Sequence, residues 1–476
     1  MKRFWRGQGE GSSSKSPPLG IQMFNDTIAA VSTPRGKGGV ALIRISGDEA
    51  LECLKKIFIP FYGKDFPERK AVYGKIVMRD ETVDTGLATY FAEGHSYTGE
   101  PTAEITCHGG IAVTAAVLEA ALWAGARLAE AGEFTRRAFV NGRLTLTEAE
   151  AVGRLIDADT ESRRRLAASA ASGSLARKTG EIRDSLTGVL AALYAAIDYP
   201  DEDIGDEGET TLLPTIEKGA AEVEKLLFTY KTGHAVADGV KTVICGAPNS
   251  GKSSLYNRLC GAERAIVTSI AGTTRDTLEE TVDAGGITLR LADTAGLREA
   301  GDEVEKVGID RARGKMAEAE LIIFVCDGSR PLSDEEQELI SEINGLECAK
   351  IAVINKKDLA QAGVKIEDNI FDRKVSISAV TGEGLDSLKN AIAELWGSEK
   401  ISLSNDAVIW NARQKASLET ALDLLSAAAD SLRLGMPADA ACTMVESAIS
   451  AMGELDGRGV CEDIVSQVFA RFCVGK

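Results

Sequence analysis

The chain has 476 residues, 44% hydrophobic and 26% charged, with a formal net charge of −18 and three histidines. That length exceeds one ordinary core and predicts about three domains, and no run of about 18 apolar residues is present to span a membrane. The negative charge repels nucleic acid at long range, so any RNA contact requires a local basic surface or a basic partner.

Nine scattered cysteines without a CxxC pair argue against a disulfide framework and a zinc cluster, and fit a cytoplasmic protein. Residues 1–22 are Gly/Ser/Pro-rich and lack the apolar core of a secretory signal, so they read as a disordered extension. Folded sequence is expected from about Met23. The alternating runs "TIAAVS", "VALIRIS", "TGLATYF" and "AEITCH" predict strands, and "GIAVTAAVLEAALWAGA" predicts a helix. Together these elements suggest a compact α+β domain over 24–140.

From Thr147 to Ala196 apolar residues recur at helical spacing, and Thr147 with Glu150 fits a capping box. The stretch "DYPDEDIGDEGE" ends these helices, and another helix is expected over about 211–233. Between 238 and 397 the runs "KTVICG", "ITLRLADTAG", "LIIFVCDG" and "KIAVINKKD" are apolar without clean alternation, as in a mainly parallel sheet covered on both faces. After Gly397 the sequence is helical again, beginning with "AVIWNARQKASLETALDLLSAAADSLRLG". The simplest organisation is a helical domain split by an inserted β/α domain.

The inserted segment carries the chemistry. "GAPNSGKS", 246–253, follows a strand and opens a helix, the setting in which a glycine-rich loop cradles phosphate. Its residues Asn249, Ser250, Gly251, Lys252 and Ser253, with Ser254, are expected at the phosphates; Lys252 reaches the β and γ groups and Ser253 holds Mg²⁺. Asp293, Thr294, Ala295 and Gly296 follow a later strand, where the carboxylate reaches the magnesium shell and Gly296 offers its N–H to the γ phosphate. In "NKKD", 355–358, Asp358 can accept two hydrogen bonds from guanine that adenine cannot supply, while Asn355 braces the loop and Lys356 is counted with them at the nucleotide. Ser378 and Ala379 close over the base, so GTP is the expected substrate. Where small GTPases place a water-orienting glutamine, this chain has Leu297. By spacing alone Glu299, Asp302, Glu303 and Glu305 are equal candidates for that role.

"SIAGTTRDTLEE", 269–280, together with Asn249, resembles bacterial GTPases that use K⁺ in place of an arginine finger. That resemblance implies that the segment Thr268, Ser269, Ile270, Ala271, Gly272, Thr273 and Thr274 closes over the nucleotide. Asn249, Thr268, the Ile270 carbonyl and Thr273 would surround K⁺, and Thr274 would complete the Mg²⁺ shell. A monovalent cation between the phosphates offsets charge that develops during transfer.

Over roughly 25–476 the whole chain resembles the MnmE (TrmE) family of tRNA modification GTPases. The likeness rests on "DTIAAVSTPRGKGGVALIRISG" at 26–47, "SYTGEPTAEITCHGG" at 96–110, "GEFTRRAFVNGRLTLTEAEAV" at 132–152, the GTPase elements and the terminal "FCVGK". It implies a multidomain α/β protein. An N-terminal α+β folate-binding and dimerisation domain would occupy 23–142, and a helical domain (143–237 and 398–476) would be split by a Ras-like P-loop GTPase domain (238–397). The resemblance further implies a homodimer that forms a heterotetramer with the FAD protein MnmG, which would supply most of the tRNA contact. The pair would install an aminomethyl-type group, commonly carboxymethylaminomethyl, at carbon 5 of the wobble uridine, drawing one carbon from a 5,10-methylene- or 5-formyl-type tetrahydrofolate. By the same resemblance Glu305 is the water-positioning residue, Arg44, Glu104 and Arg143 hold the folate, and Cys473 and Lys476 lie near it. Better-known members carry lysine at the position of Arg143. The rival class, a ribosome-assembly GTPase, usually attaches a basic RNA-binding domain, which the charge of −18 and the "CHGG" domain disfavour.

Overall fold

The computed structural model describes residues 24–34, 36–198, 207–261, 280–291, 314–359, 363–364, 366–367, 369–436, 438–460, 462–470, 472 and 474–475. Two compact units form, one from the residues up to Gly153 joined by those from Ile449 onward, the other from Arg154–Ala448.

In the first unit, β1 (Ile28–Val31), β2 (Val40–Ser46), α1 (Ala50–Ile57), β3 (Phe58–Pro60), β4 (Val72–Met78), β5 (Glu81–Phe91), β6 (Thr102–His108), α2 (Ile111–Ala124) and β7 (Arg127–Leu128) follow in order. The seven strands align as β3-β4-β5-β6-β2-β1-β7. Strand alternation sends Ile43, Ile45, Ala103 and Ile105 to one face, where Leu54 and Ile57 of α1 and Val117 and Ala121 of α2 complete a core. The same alternation leaves Arg44 and Glu104 on the other face. The predicted strands and helix of this region are present; α1, β3, β4 and β7 are additional.

After α3 (Glu133–Val140), α4 (Leu146–Ile156) begins one residue earlier than its expected cap. The capping box is made by Thr145 and Glu148: the Glu148 N–H donates to Thr145 Oγ1 at 3.2 Å, and the Thr145 N–H to Glu148 Oε2 at 2.7 Å. Thr147 is buried, and its hydroxyl donates instead to the Leu455 carbonyl at 2.6 Å.

In the second unit the long helical stretch is divided into α5 (Glu161–Ala171) and α6 (Ser174–Asp198). Thr160, extended at φ −122° and ψ 157°, caps α5, and Gly173 at φ +79° separates the two. The helix expected at 211–233 is α7 (Glu207–Phe228) and α8 (Tyr230–Ala237), divided at Thr229.

The mainly parallel sheet follows: β8 (Val240–Cys245), α9 (Lys252–Gly261), β9 (Glu280–Ala284), β10 (Ile287–Leu291), β11 (Leu321–Asp327), α10 (Asp334–Asn344), β12 (Ala349–Asn355), β13 (Arg373–Ser376) and α11 (Leu385–Trp396). Strand order is β13-β12-β11-β8-β10-β9, parallel except that β9 runs against β10. All seven residues of β11 are buried: the apolar run Leu321–Cys326, as a strand covered on both faces requires, and Asp327 at its end. The β9–β10 hairpin is tied to the cap of α5: the Ser162 N–H donates to Asp283 at 3.1 Å and the Thr281 hydroxyl to Asp159 at 2.6 Å.

Val408, Ile409 and Trp410, expected to open a helix, are instead buried in non-helical chain. Helix α12 (Ala412–Arg433) starts after them, with the Asn411 side chain capping the Gln414 N–H at 2.8 Å, and packs along α7. α13 (Ala438–Gly453) and α14 (Glu462–Phe469) complete the chain. Phe469 meets Phe139 and Phe472 in a small aromatic core, and the tail returns to β1, where the Ser32 hydroxyl donates to the Gly475 carbonyl at 3.0 Å.

Candidate functional site

The loop between β8 and α9 lies where strand order reverses, the crevice at which open α/β sheets hold ligands. Its backbone demands the residues present. Gly251 has φ +101°, and a Cβ there would lie 2.0 Å from Asn355 Nδ2; a Cβ on Gly246 would lie 2.0 Å from the Val325 carbonyl. Asn249 adopts φ +61°, a left-handed conformation that asparagine tolerates. This is a cradle that only small residues permit, and it opens α9 at Lys252, so the helix N-terminus faces the loop interior.

Lys252 Nζ donates to the carbonyls of Gly246 and Ala247 at 2.9 and 2.7 Å. Burial holds its pKa below the usual lysine range, and the negative charge of Glu336 offsets this only in part. Ser250 is fully buried and its hydroxyl has no hydrogen-bond partner among the described residues, whereas Ser253 and Ser254 are exposed on the first turn of α9. An ammonium, a helix N-terminus and exposed hydroxyls in one concavity suit a phosphate chain with its magnesium ion.

The second loop of the site follows β12. Asn355, 3% exposed, spans two neighbours: its Nδ2 donates to the Ser250 carbonyl at 2.8 Å, and its Oδ1 accepts from the Ala379 N–H at 2.9 Å. One side chain thereby fastens the phosphate loop, "NKKD" and "SA" together. Ser378 and Ala379 are buried, and the Ser378 hydroxyl accepts from the Thr381 N–H at 3.1 Å. Arg258 of α9 donates to the carbonyls of Ala379 and Val380. Asp358 is exposed. Lys356, at φ +64°, pairs with Asp327 at the end of β11.

A second cluster occupies the other face of the N-terminal sheet. Arg44 and Glu104 stand opposite each other across β2 and β6, joined by Nε and Nη2 to Oε1 at 2.9 and 2.8 Å. The guanidinium sits over the rings of Tyr97 and Phe134, 5.3 and 5.6 Å from their centroids. Tyr97 is fixed by a 3.0 Å hydrogen bond to Thr135, and burial raises its pKa. Arg143 is exposed, its stem against Gly99 in the turn that also carries Tyr97. Carboxylate, guanidinium and aromatic faces together suit a flat heterocycle with paired donors. Tyr97 and Phe134 were not singled out by sequence reasoning, although both lie within the family-like stretches "SYTGEPTAEITCHGG" and "GEFTRRAFVNGRLTLTEAEAV". Thr268 to Thr274, Asp293 to Gly296, Glu305, Cys473 and Lys476 lie outside the described residues.

A parallel sheet with a P-loop at its switch point, an "NKKD" loop braced against it and a split helical scaffold define a P-loop GTPase of multidomain α/β architecture. Two family profiles match: "GTP-binding protein TrmE N-terminus" over 27–143 and "MnmE helical domain" over 146–473. Proteins named tRNA modification GTPase MnmE from Carboxydothermus hydrogenoformans and Moorella thermoacetica are each 40% identical, over 95% of this chain and 100% of theirs. The one from Clostridioides difficile is 39% identical with the same coverage. The chain belongs to the MnmE family. Among the described residues no helix is long and apolar enough to cross a membrane.

Proposed function

We propose that the chain is a potassium-dependent GTP hydrolase that acts with MnmG to add an aminomethyl-type group, commonly carboxymethylaminomethyl, to carbon 5 of the wobble uridine of certain tRNAs. The observation that carries the GTP reading is the Asn355 node, which fixes phosphate loop and base loop to each other. Family membership and the close relatives named tRNA modification GTPase support the tRNA substrate. We read 23–142 as the folate and dimerisation domain, 143–237 with 398–476 as the helical domain, and 238–397 as the GTPase domain.

In this reading Lys252 gives up its carbonyl contacts for the β and γ phosphates, and Asp358 selects guanine by accepting its two N–H groups. Ser253 and Thr274, with Asp293 in the outer shell, would hold Mg²⁺, and Asn249, Thr268, the Ile270 carbonyl and Thr273 would hold K⁺; the two ions supply positive charge against the phosphate oxygens. Gly296 would offer its N–H to the γ phosphate. Glu305 orients or deprotonates the water that attacks γ phosphorus as the bond to the β–γ bridging oxygen breaks. Arg44, Glu104 and Arg143, with Lys476 of the tail, hold a reduced folate that supplies one carbon. The active species is a homodimer, assembled with MnmG, which contributes most of the tRNA contact.

Steady-state phosphate release in KCl and NaCl at matched ionic strength tests the hydrolysis. Potassium should be required, and Glu305→Ala should keep GTP affinity while losing on the order of 10²-fold or more in turnover. Normal turnover of that variant in KCl would move the water to another residue, Asp302 first. Mass spectrometry of tRNA from a deletion strain tests the substrate: intact wobble-uridine modification together with co-sedimentation of the protein with ribosomal subunits would replace this reading with ribosome assembly.

A further inference from the structure

We infer that Asp327, which lies outside every GTPase motif of the chain, is a positioning residue for the guanine pocket, acting through Lys356; the inference rests on the GTP reading of the site. Asp327 is the last residue of β11 and stands in register opposite Asn355 of β12. It is 8% exposed, and every described contact of its carboxylate points into the loops at the carboxyl edge of the sheet. Oδ1 accepts from the Ser329 N–H at 3.0 Å and from the Ser329 hydroxyl at 2.6 Å; Oδ2 accepts from Lys356 Nζ at 2.6 Å. The next peptide adds a backbone tie, from the Gly328 N–H to the Asn355 carbonyl at 2.8 Å.

Lys356 needs such an anchor. A lysine stem is long and flexible, and this one departs from a left-handed backbone position that a residue with a Cβ seldom adopts. The left-handed turn sends the side chain from the end of β12 towards the end of β11, the strand that lies next to β8 and its phosphate loop. The stem therefore crosses the carboxyl edge of the sheet between the base loop and the phosphate loop, where a bound purine must lie. Asp327 holds the stem in place before the nucleotide arrives, and it neutralises the ammonium so that the methylenes can form an apolar wall for the base. Part of the cost of ordering the pocket is thereby met in the free protein. Asn355 fixes the loop's backbone, and Asp327 fixes the Lys356 side chain.

The test uses the full-length chain and a fluorescent guanine nucleotide, mant-GDP. Asp327→Asn keeps the shape but turns an amide NH₂ towards the lysine ammonium; Lys356→Met keeps the stem and removes the charge. Asp327→Asn should speed mant-GDP dissociation and raise the KM for GTP by about tenfold, with kcat at saturation within about twofold. In the Lys356→Met background Asp327→Asn should add little, because its effect travels through the lysine. Unchanged dissociation in Asp327→Asn, or losses that add in the double variant, overturns the inference. If Asp327→Asn fails to fold, a wild-type dissociation rate in Lys356→Met overturns it equally. Failure of the unaltered protein to bind mant-GDP would instead count against the GTP site itself.

Discussion

Replacing Asn355 with alanine would remove a side chain that joins the phosphate loop, "NKKD" and "SA". The Ser250 carbonyl and the Ala379 N–H would each lose a partner, and both residues are buried, 0% and 4% exposed. A buried polar group left unpaired costs about 1–3 kcal/mol, so the pair together carries roughly 2–6 kcal/mol if no water enters. Because both bonds run between loops, much of that loss should fall on the geometry a nucleotide requires. An effect at the lower bound corresponds to roughly 30-fold in affinity. Equilibrium titration and stopped-flow dissociation of mant-GDP would measure it, with thermal unfolding followed in parallel by circular dichroism. Lys357→Ala is the control: its ion pair with Glu383 is exposed on both sides, 43% and 59%, and contributes about 0–1 kcal/mol. Affinity within threefold of the unaltered protein in Asn355→Ala would refute the view that this residue holds the site together.

Gly251→Ala should abolish nucleotide binding outright, since its Cβ would displace Asn355 Nδ2 and the φ of +101° is closed to alanine; retained mant-GDP binding would contradict the backbone geometry. Nucleotide binding should take up protons at alkaline pH. Burial depresses the pKa of Lys252 in the free protein and bound phosphate must raise it, so affinity falls as pH rises through the free-site value. In the window between the folded and the ordinary lysine pKa the unfolded chain binds more protons, so the free protein gains stability there with rising pH. Calorimetry in two buffers of different ionisation enthalpy reads the protons, and release or no exchange would be the contrary result. Glu104→Gln should weaken 5-formyltetrahydrofolate binding by roughly 10- to 100-fold, the worth of a charge-assisted bond, with GTP hydrolysis unchanged; equal affinity by calorimetry would remove Glu104 from that site.

The GTPase loops were legible in sequence because they bind through backbone N–H groups and so demand glycine and small residues at fixed spacing. The strands of that sheet were legible for a related reason: a strand covered on both faces must be apolar along its buried length, as β11 is from Leu321 to Cys326. The local punctuation of the helices was harder to read. "LTLTEAE" offers two overlapping capping boxes two residues apart, and the outcome turned on the distant Leu455 carbonyl, which takes the Thr147 hydroxyl and leaves the cap to Thr145. Alanine-rich periodicity runs on through Gly173, so the break between α5 and α6 rests on one positive φ. "AVIW" leads towards a helix, yet Val408, Ile409 and Trp410 are buried in non-helical chain, and tertiary burial overrode local propensity. The Arg44–Glu104 pair depends on β2 lying beside β6, a register between residues 60 apart that no short-range pattern encodes.

The least legible feature is the buried ion network beside that pair. Arg137 is 0% exposed and donates to the Asp26 carbonyl at 2.8 Å, Asp26 Oδ1 at 2.6 Å, Glu133 Oε1 at 2.9 Å and Glu100 at 3.2–3.3 Å, with its guanidinium over the Phe24 ring. Arg127 grips Glu133 from the other side at 2.6 and 2.9 Å. Burial pushes the Glu100 carboxyl up against the pull of Arg137, which shows how strongly the surroundings oppose charge there. Apolar packing would stabilise such a position as well or better, so net stability does not explain the network. Its geometry does more. It joins the residues just before β1, the turn carrying Tyr97, and α3, which carries Phe134 one helical turn before Arg137, and those two rings bracket Arg44. Because a guanidinium forms its bonds in fixed directions, it sets the orientation of three segments at once, where an apolar contact would let them slide.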